Sequence, residues 1–176
     1  RFRRSGVMTC DSKPFSTPTF ACDAMLGKLA RDLRAIGYFA HYFQSIDDDK
    51  LVRFAKENGH ALLTRDTRIR QRKDLGVHLF IRSDFAFEQL AQVVRELSLC
   101  VDASRFYTVC IECNLALVTL QKSEVRGLVP PYVYKTQDRF SCCPGCEKIF
   151  WPATHMDHMD QRLRKTLSPF LKRGSK

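Results

Sequence analysis

The apolar positions of this chain alternate between two periods. Thr19-Phe20-Ala21-Cys22 is a short uncharged run that reads as a buried strand. Residues 25–36 place apolar side chains at 25, 26, 29, 30, 33 and 36, the spacing of one helix face, and Gly37 supplies the stop. Residues 38–43 return to a strand. Asp47-Asp48-Asp49 then caps a helix that runs to Asn58, where Asn58-Gly59 ends it. His60-Ala61-Leu62-Leu63-Thr64 is an apolar strand, residues 65–73 a short helix or loop, and Val77 to Ile81 a further strand. Phe87 to Leu97 has the pattern of an amphipathic helix that turns Leu90, Val93, Val94 and Leu97 inward. Strands alternating with helices over short links predict an α/β fold, a parallel sheet with flanking helices.

The pattern changes after residue 104. Cys110-x-x-Cys113 and Cys143-x-x-Cys146 each offer two thiols from one tight turn, and Pro144-Gly145 suits the second turn. Two such turns can close a tetrahedral zinc site, and four sulfur ligands leave no open position, so the zinc would be structural. Disulfides are the alternative for the same residues. The 29 residues between the pairs require a hairpin or strand to fill them. The other thiols, Cys10, Cys22, Cys100 and Cys142, read as free, and eight cysteines without a secretion signal suggest a reducing, intracellular compartment. His155 and His158 have ligand-like spacing but read as surface or structural residues, because four sulfurs complete the site. Trp151, between Phe150 and Pro152, reads as the plug of the small zinc module's core.

Charge alters the picture in two places. The net charge is +10 over 176 residues. Residues 1–19 hold four basic and one acidic side chain, and residues 161–176 six basic and none acidic. The expected organisation is therefore a basic flexible segment at 1–18, an α/β domain at 19–104, a zinc ribbon at 105–160 and a basic flexible tail at 161–176. Within the α/β domain Arg65, Arg68, Arg70, Arg72 and Lys73 form a cluster that could hold phosphates or simply line a solvated helix face. No run is long or apolar enough to span a membrane. The chain opens on Arg1, which reads as a piece of a longer protein.

Three acids gain meaning from the strand order. Asp23 follows the first strand, Asp66 follows His60–Thr64, and Asp48 opens the helix between them. Strand C-terminal ends in a parallel sheet border one crevice, where ligands bind. Three carboxylates there would suit Mg²⁺ or Mn²⁺, and a phosphodiester as substrate. Taken singly, each has a plainer reading as a helix cap or turn residue.

Several motifs resemble the Mut-seven C-terminal RNase family, PIN-like domains that carry a zinc ribbon. The first runs from Phe20-Ala-Cys-Asp23 to Gly37-Tyr38, the second from Asp48 to Ala55, and the third is Leu62-Leu-Thr-Arg-Asp66. Cys110-x-x-Cys113-Asn114-x-x-Leu117 and Phe140-x-x-Cys143-Pro-Gly-Cys146 through Trp151 to His155 resemble the ribbon. The resemblance spans Phe20 to Met159 and implies a PIN-like sheet followed by a four-cysteine zinc ribbon. It implies Asp23, Asp48 and Asp66 as catalytic, metal-binding acids, and Lys28, Arg31, Arg34 and Arg65 as contacts to an RNA backbone, with Arg68 added from the basic cluster. It further implies the C-terminal domain of a mutator-type 3′–5′ exoribonuclease in small-RNA pathways. Single-stranded RNA, an upstream exonuclease domain and a protein of a silencing complex would be its partners, in cytoplasm or nucleus. Phe39 stands where the family usually has an acidic residue, which favours an alternative: a non-catalytic module that feeds RNA to the upstream domain or docks a partner.

Overall fold

A computed structural model describes the backbone of residues 17–152 and 154–171, and the side chains of all of these except 154–159. The basic segment at residues 1–16, Cys10, the side chains of His155 and His158, and residues 172–176 lie outside the described residues. Strands β1 (Phe20–Cys22), β2 (Ala40–Tyr42), β3 (Ala61–Thr64) and β4 (His78–Phe80) form a parallel sheet of order β2-β1-β3-β4. Helices α1 (Gly27–Ala35), α2 (Asp48–Glu57), α3 (Thr67–Arg70) and α4 (Ala86–Glu96) follow the four strands in turn. The α/β alternation expected from the periodicity is the observed one.

The two central strands are buried on both faces, which is why they lack an alternating polar pattern. Phe20, Cys22 and Leu63 face α1 and α4, whose Leu29, Leu33, Leu90, Val93 and Val94 complete one core. Ala21 and Leu62 face the other way, against Leu51, Val52 and Ala55 of α2 and Ile69 of α3. One difference lies at the start of α1. Met25 is exposed, because Asp23 and Leu26 close a turn that delays the helix to Gly27. At the other end Gly37 takes φ +86°, where an added Cβ would lie 2.5 Å from the Arg105 carbonyl. That end of α1 therefore tolerates no side chain.

Strands β5 (Val118–Leu120), β6 (Phe140–Cys142) and β7 (Ile149–Phe150) form an antiparallel sheet of order β5-β6-β7. Its small core is Val125, Val129 and Phe140, with Trp151 packed against it. A helix from Pro131 to Thr136, α5, fills part of the segment between the cysteine pairs. Helix α6 (Thr154–Leu167) then departs from expectation. Leu163 and Leu167 are fully buried in the core of the parallel sheet, and Val101 bridges to Leu171. Residues 161–171, expected in a basic tail, are thus a structural element. Their charge masked an i, i+4 leucine pair, and Arg162 and Arg164 lie over the rings of Phe87 and Phe106. Among the described residues no helix is long and apolar enough to cross a membrane.

Asp32 of α1 carries a cost of this packing. It is 9% exposed, and burial raises its carboxyl to about 6 despite Arg31, Arg162 and Lys28 nearby. A carboxyl raised above its ordinary 3.8 holds its proton more tightly in the folded state, so stability is lost as pH rises through 6. Asp32→Asn should therefore be more stable than the parent. In urea denaturation the gap should widen by roughly 1 kcal/mol between pH 5 and pH 8; a gap that narrows with pH would contradict this account.

Candidate functional site

Each strand of the parallel sheet ends beside an acid. Asp48 begins the helix after β2, Asp23 follows β1, Asp66 caps α3 after β3, and Asp84 lies beyond β4. The strand order sets them along the C-terminal edge as Asp48, Asp23, Asp66 and Asp84. Asp23 is 5% exposed and fully engaged: Met25 N–H donates to Oδ1 at 2.8 Å, while Thr64 Oγ1 and Arg65 N–H donate to Oδ2 at 2.7 and 2.6 Å. The Thr64 hydroxyl also accepts the Asp66 N–H at 2.9 Å, so it couples the ends of β1 and β3. Thr64 carries no signal by residue type, and only the meeting of β1 and β3 shows its role.

Arginines pair with the remaining acids. Arg68 sits 2.9 Å from Asp66 and 3.9 Å from Asp48, and is four-fifths exposed. The Arg68 side chain and backbone N–H hold the Asp66 carboxyl below the usual range. Arg65 lies 2.5 Å from Asp84. Asp48 and Asp66 thus already converge on one cation, the Arg68 guanidinium. Asp23 stands apart from that cation, joined to Asp66 through Thr64.

The structure distributes the other basic residues unevenly. Lys28 is exposed near the start of α1, beside the acidic edge. Arg31 reaches Glu112 at 2.9 Å. Arg34 corrects an expectation: it is 7% exposed, at the far end of the sheet, and does not face solvent as an RNA contact would. Its Nε and Nη2 donate to the Ala40 carbonyl at 2.9 and 2.6 Å, and Nη1 to the carbonyls of Ile111 and Glu112 at 2.7 and 3.1 Å. Burial lowers its pKa, and its Nε, Nη1 and Nη2 are already donating to protein carbonyls rather than to a phosphate. The shared face of Arg31 and Arg34 is a joint to the cysteine turn.

That turn has a twin. Cys110 N–H donates to the Leu115 carbonyl and Cys143 N–H to the Lys148 carbonyl, each five residues on. Asn114 and Glu147, the residues after the second cysteine of each pair, both take φ +58°. Cys113 N–H and Gly145 N–H each donate to a sulfur at 3.4 Å, the pattern that stabilises thiolates. The sulfurs of Cys110, Cys113, Cys143 and Cys146 all lie within 4.8 Å of one another, the group of this kind among the described residues. Cys110 and Cys146 sulfurs are 4.0 Å apart, far beyond the about 2.05 Å of a disulfide. A tetrahedron with bonds of about 2.3 Å has edges of about 3.8 Å, so the donor set fits a structural metal. A Cβ at Gly145 would meet Leu115 Cδ1 at 2.7 Å and push that exposed side chain aside. Asn114 Oδ1 also accepts the Ala40 N–H at 2.7 Å, closing the exposed edge of β2.

The Thr64 link yields a test. Thr64→Val removes the hydroxyl and leaves the buried Asp23 carboxylate and the Asp66 N–H each short of a partner. It should destabilise the α/β core by about 1–3 kcal/mol in urea denaturation, and Thr64→Ser should restore most of that. Equal stability of the valine variant would remove Thr64 from this role.

The geometry agrees with one comparison. No curated protein and no solved structure matches the chain. The Mut7-C RNAse domain matches residues 18–163, which include the acidic edge and all four clustered cysteines. The chain belongs to the Mut7-C RNAse domain family.

Proposed function

We propose that this chain binds single-stranded RNA along the C-terminal edge of its parallel sheet and hydrolyses phosphodiesters there. The observation that carries the reading is the convergence of Asp48 and Asp66 on one guanidinium, next to Asp23. An edge that already holds one cation between two carboxylates has the donors for Mg²⁺ or Mn²⁺ once Arg68 swings away, and Arg68 is exposed enough to do so. A divalent ion bound there would lower the pKa of a water and offset charge on the leaving oxygen. Asp23, held rigidly by Thr64 and two backbone N–H groups, fixes the direction of its neighbours. Arg65, Arg68 and Lys28 border the edge and would meet the phosphates of the strand.

The order of motifs supports a wider reading: the C-terminal domain of a mutator-type 3′–5′ exoribonuclease in small-RNA silencing, with an exonuclease domain upstream. One observation favours the non-catalytic alternative. Asp23 already accepts from three donors and Arg68 lies between the other two acids, so each carboxylate has a partner without a divalent ion.

End-labelled single-stranded RNA with Mn²⁺ separates the two. Asp66→Asn should lose cleavage by about 100-fold or more while binding is kept. Binding without cleavage by the parent protein would establish the RNA-holding module instead.

We infer Zn²⁺ at the four cysteines, because thiolate sets of this geometry select it and every position is filled. The purified protein should carry one zinc per chain by elemental analysis. Cys110→Ser or Cys146→Ser should lose the metal and the cooperative unfolding of the ribbon. A metal-free variant that melts like the parent would overturn the assignment.

A further inference from the structure

Phe85 stands where nothing in the fold asks for an aromatic ring. It is the N-cap residue of α4, a position that favours a short polar side chain, and its own side chain makes no capping hydrogen bond. It is 71% exposed and belongs to none of the apolar cores.

The loop that presents this ring is nevertheless tightly braced. Gln92 of α4 is buried; its Oε1 accepts the Arg82 N–H at 3.0 Å and its Nε2 donates to the Phe80 carbonyl at 2.9 Å. Gln89, also buried, donates to the Ser83 carbonyl at 2.8 Å. The Ser83 hydroxyl accepts the Phe85 N–H at 3.1 Å and donates to Glu88 Oε2 at 2.6 Å. Two buried amides and a serine thus fix the backbone of residues 80–85. A ring carried on a fixed loop meets a partner with little ordering left to do.

Its surroundings point to the kind of partner. Phe85 follows Asp84, whose carboxylate meets Arg65, and the Arg65 N–H in turn donates to Asp23 at the acidic edge. Arg82, three residues earlier, pairs with Glu96. The exposed Arg70 lies over the ring of Phe80 at the end of β4, its guanidinium carbon 4.7 Å from the ring centre. A ring face attracts a cation without neutralising it, so that charge stays available to an anion. An apolar protein segment laid on Phe85 would have to desolvate Asp84, Arg65 and Glu88 to cover one ring. A nucleotide avoids that loss: its base sets a flat face on the ring while its phosphates meet the cations. We propose that Phe85 is the platform on which one base of a single-stranded RNA stacks as the strand passes the acidic edge beside β4, with Arg65 and Arg70 meeting the flanking phosphates. The proposal rests on the reading that this edge binds RNA.

Binding of a ten-nucleotide oligoadenylate and of an abasic strand of equal length is read by fluorescence anisotropy without added Mn²⁺. The parent protein is compared with Phe85→Ala, Phe85→Leu and Phe85→Tyr. Because Phe85 lies outside the cores, all three variants should melt like the parent; unfolding of the variants would make it a structural residue and overturn the platform. Phe85→Ala and Phe85→Leu should each weaken oligoadenylate by about 10-fold, Phe85→Tyr by less than about 2-fold, and none should alter binding of the abasic strand. Unchanged oligoadenylate binding by Phe85→Ala would overturn the platform and leave the RNA reading intact. Equal losses for both strands would do the same, since an abasic strand has no base to stack. Binding kept by Phe85→Leu and lost by Phe85→Ala would mark a merely apolar contact, of the kind a protein segment makes, and would overturn base stacking. No binding of either strand by the parent would overturn both readings.

Discussion

A guanidinium with only 7% of its surface exposed must find acceptors inside the protein, and Arg34 finds them in two parts of the chain. Ala40 belongs to the edge strand of the parallel sheet; Ile111 and Glu112 belong to the first cysteine turn. Removing any of these carbonyls would leave a charged donor unpaired in a desolvated place, a penalty larger than that of most surface contacts. Asn114 reinforces the joint from the other side by capping the Ala40 N–H. The orientation of two of the four sulfurs is thereby tied to the sheet. The four-cysteine cluster and the α/β core hold each other in position, and α6 closes the assembly by burying Leu163 and Leu167 in the same core as residues of α1 and α4.

The acidic edge poses an electrostatic problem of its own. At the edge, like charges have been gathered, and arginines two residues away in sequence or across the strand ends keep them from repelling one another. Arg68 holds its place there through exposed ion pairs, which cost little to form or break.

Much of this was legible in the chain. Short uncharged strands, the i, i+3, i+4 faces of α1, α2 and α4, and the Asp47 and Gly37 boundaries follow from burial on two sheet faces, which acts on each residue type locally. The paired cysteines and their turns are likewise local chemistry: a C-x-x-C turn must aim two sulfurs one way, and positive φ after it recurs in both. The position of Asp23, Asp48 and Asp66 at strand ends follows from the same alternation.

What the chain alone could not say depends on contacts between distant residues. Arg34 and Arg31 share a helix face by spacing, but only the packed ribbon shows that this face is a joint. Leu163 and Leu167 sit in a run of positive charge, and only the core they enter outweighs it. Thr64 and Arg68 became partners of the acids through the meeting of β1, β2 and β3. Local sequence determined the elements and their chemistry, because helix periodicity, turns and thiol spacing act within a few residues. Tertiary structure decided which charges are spent and which polar groups remain open, because desolvation depends on everything that packs around an atom.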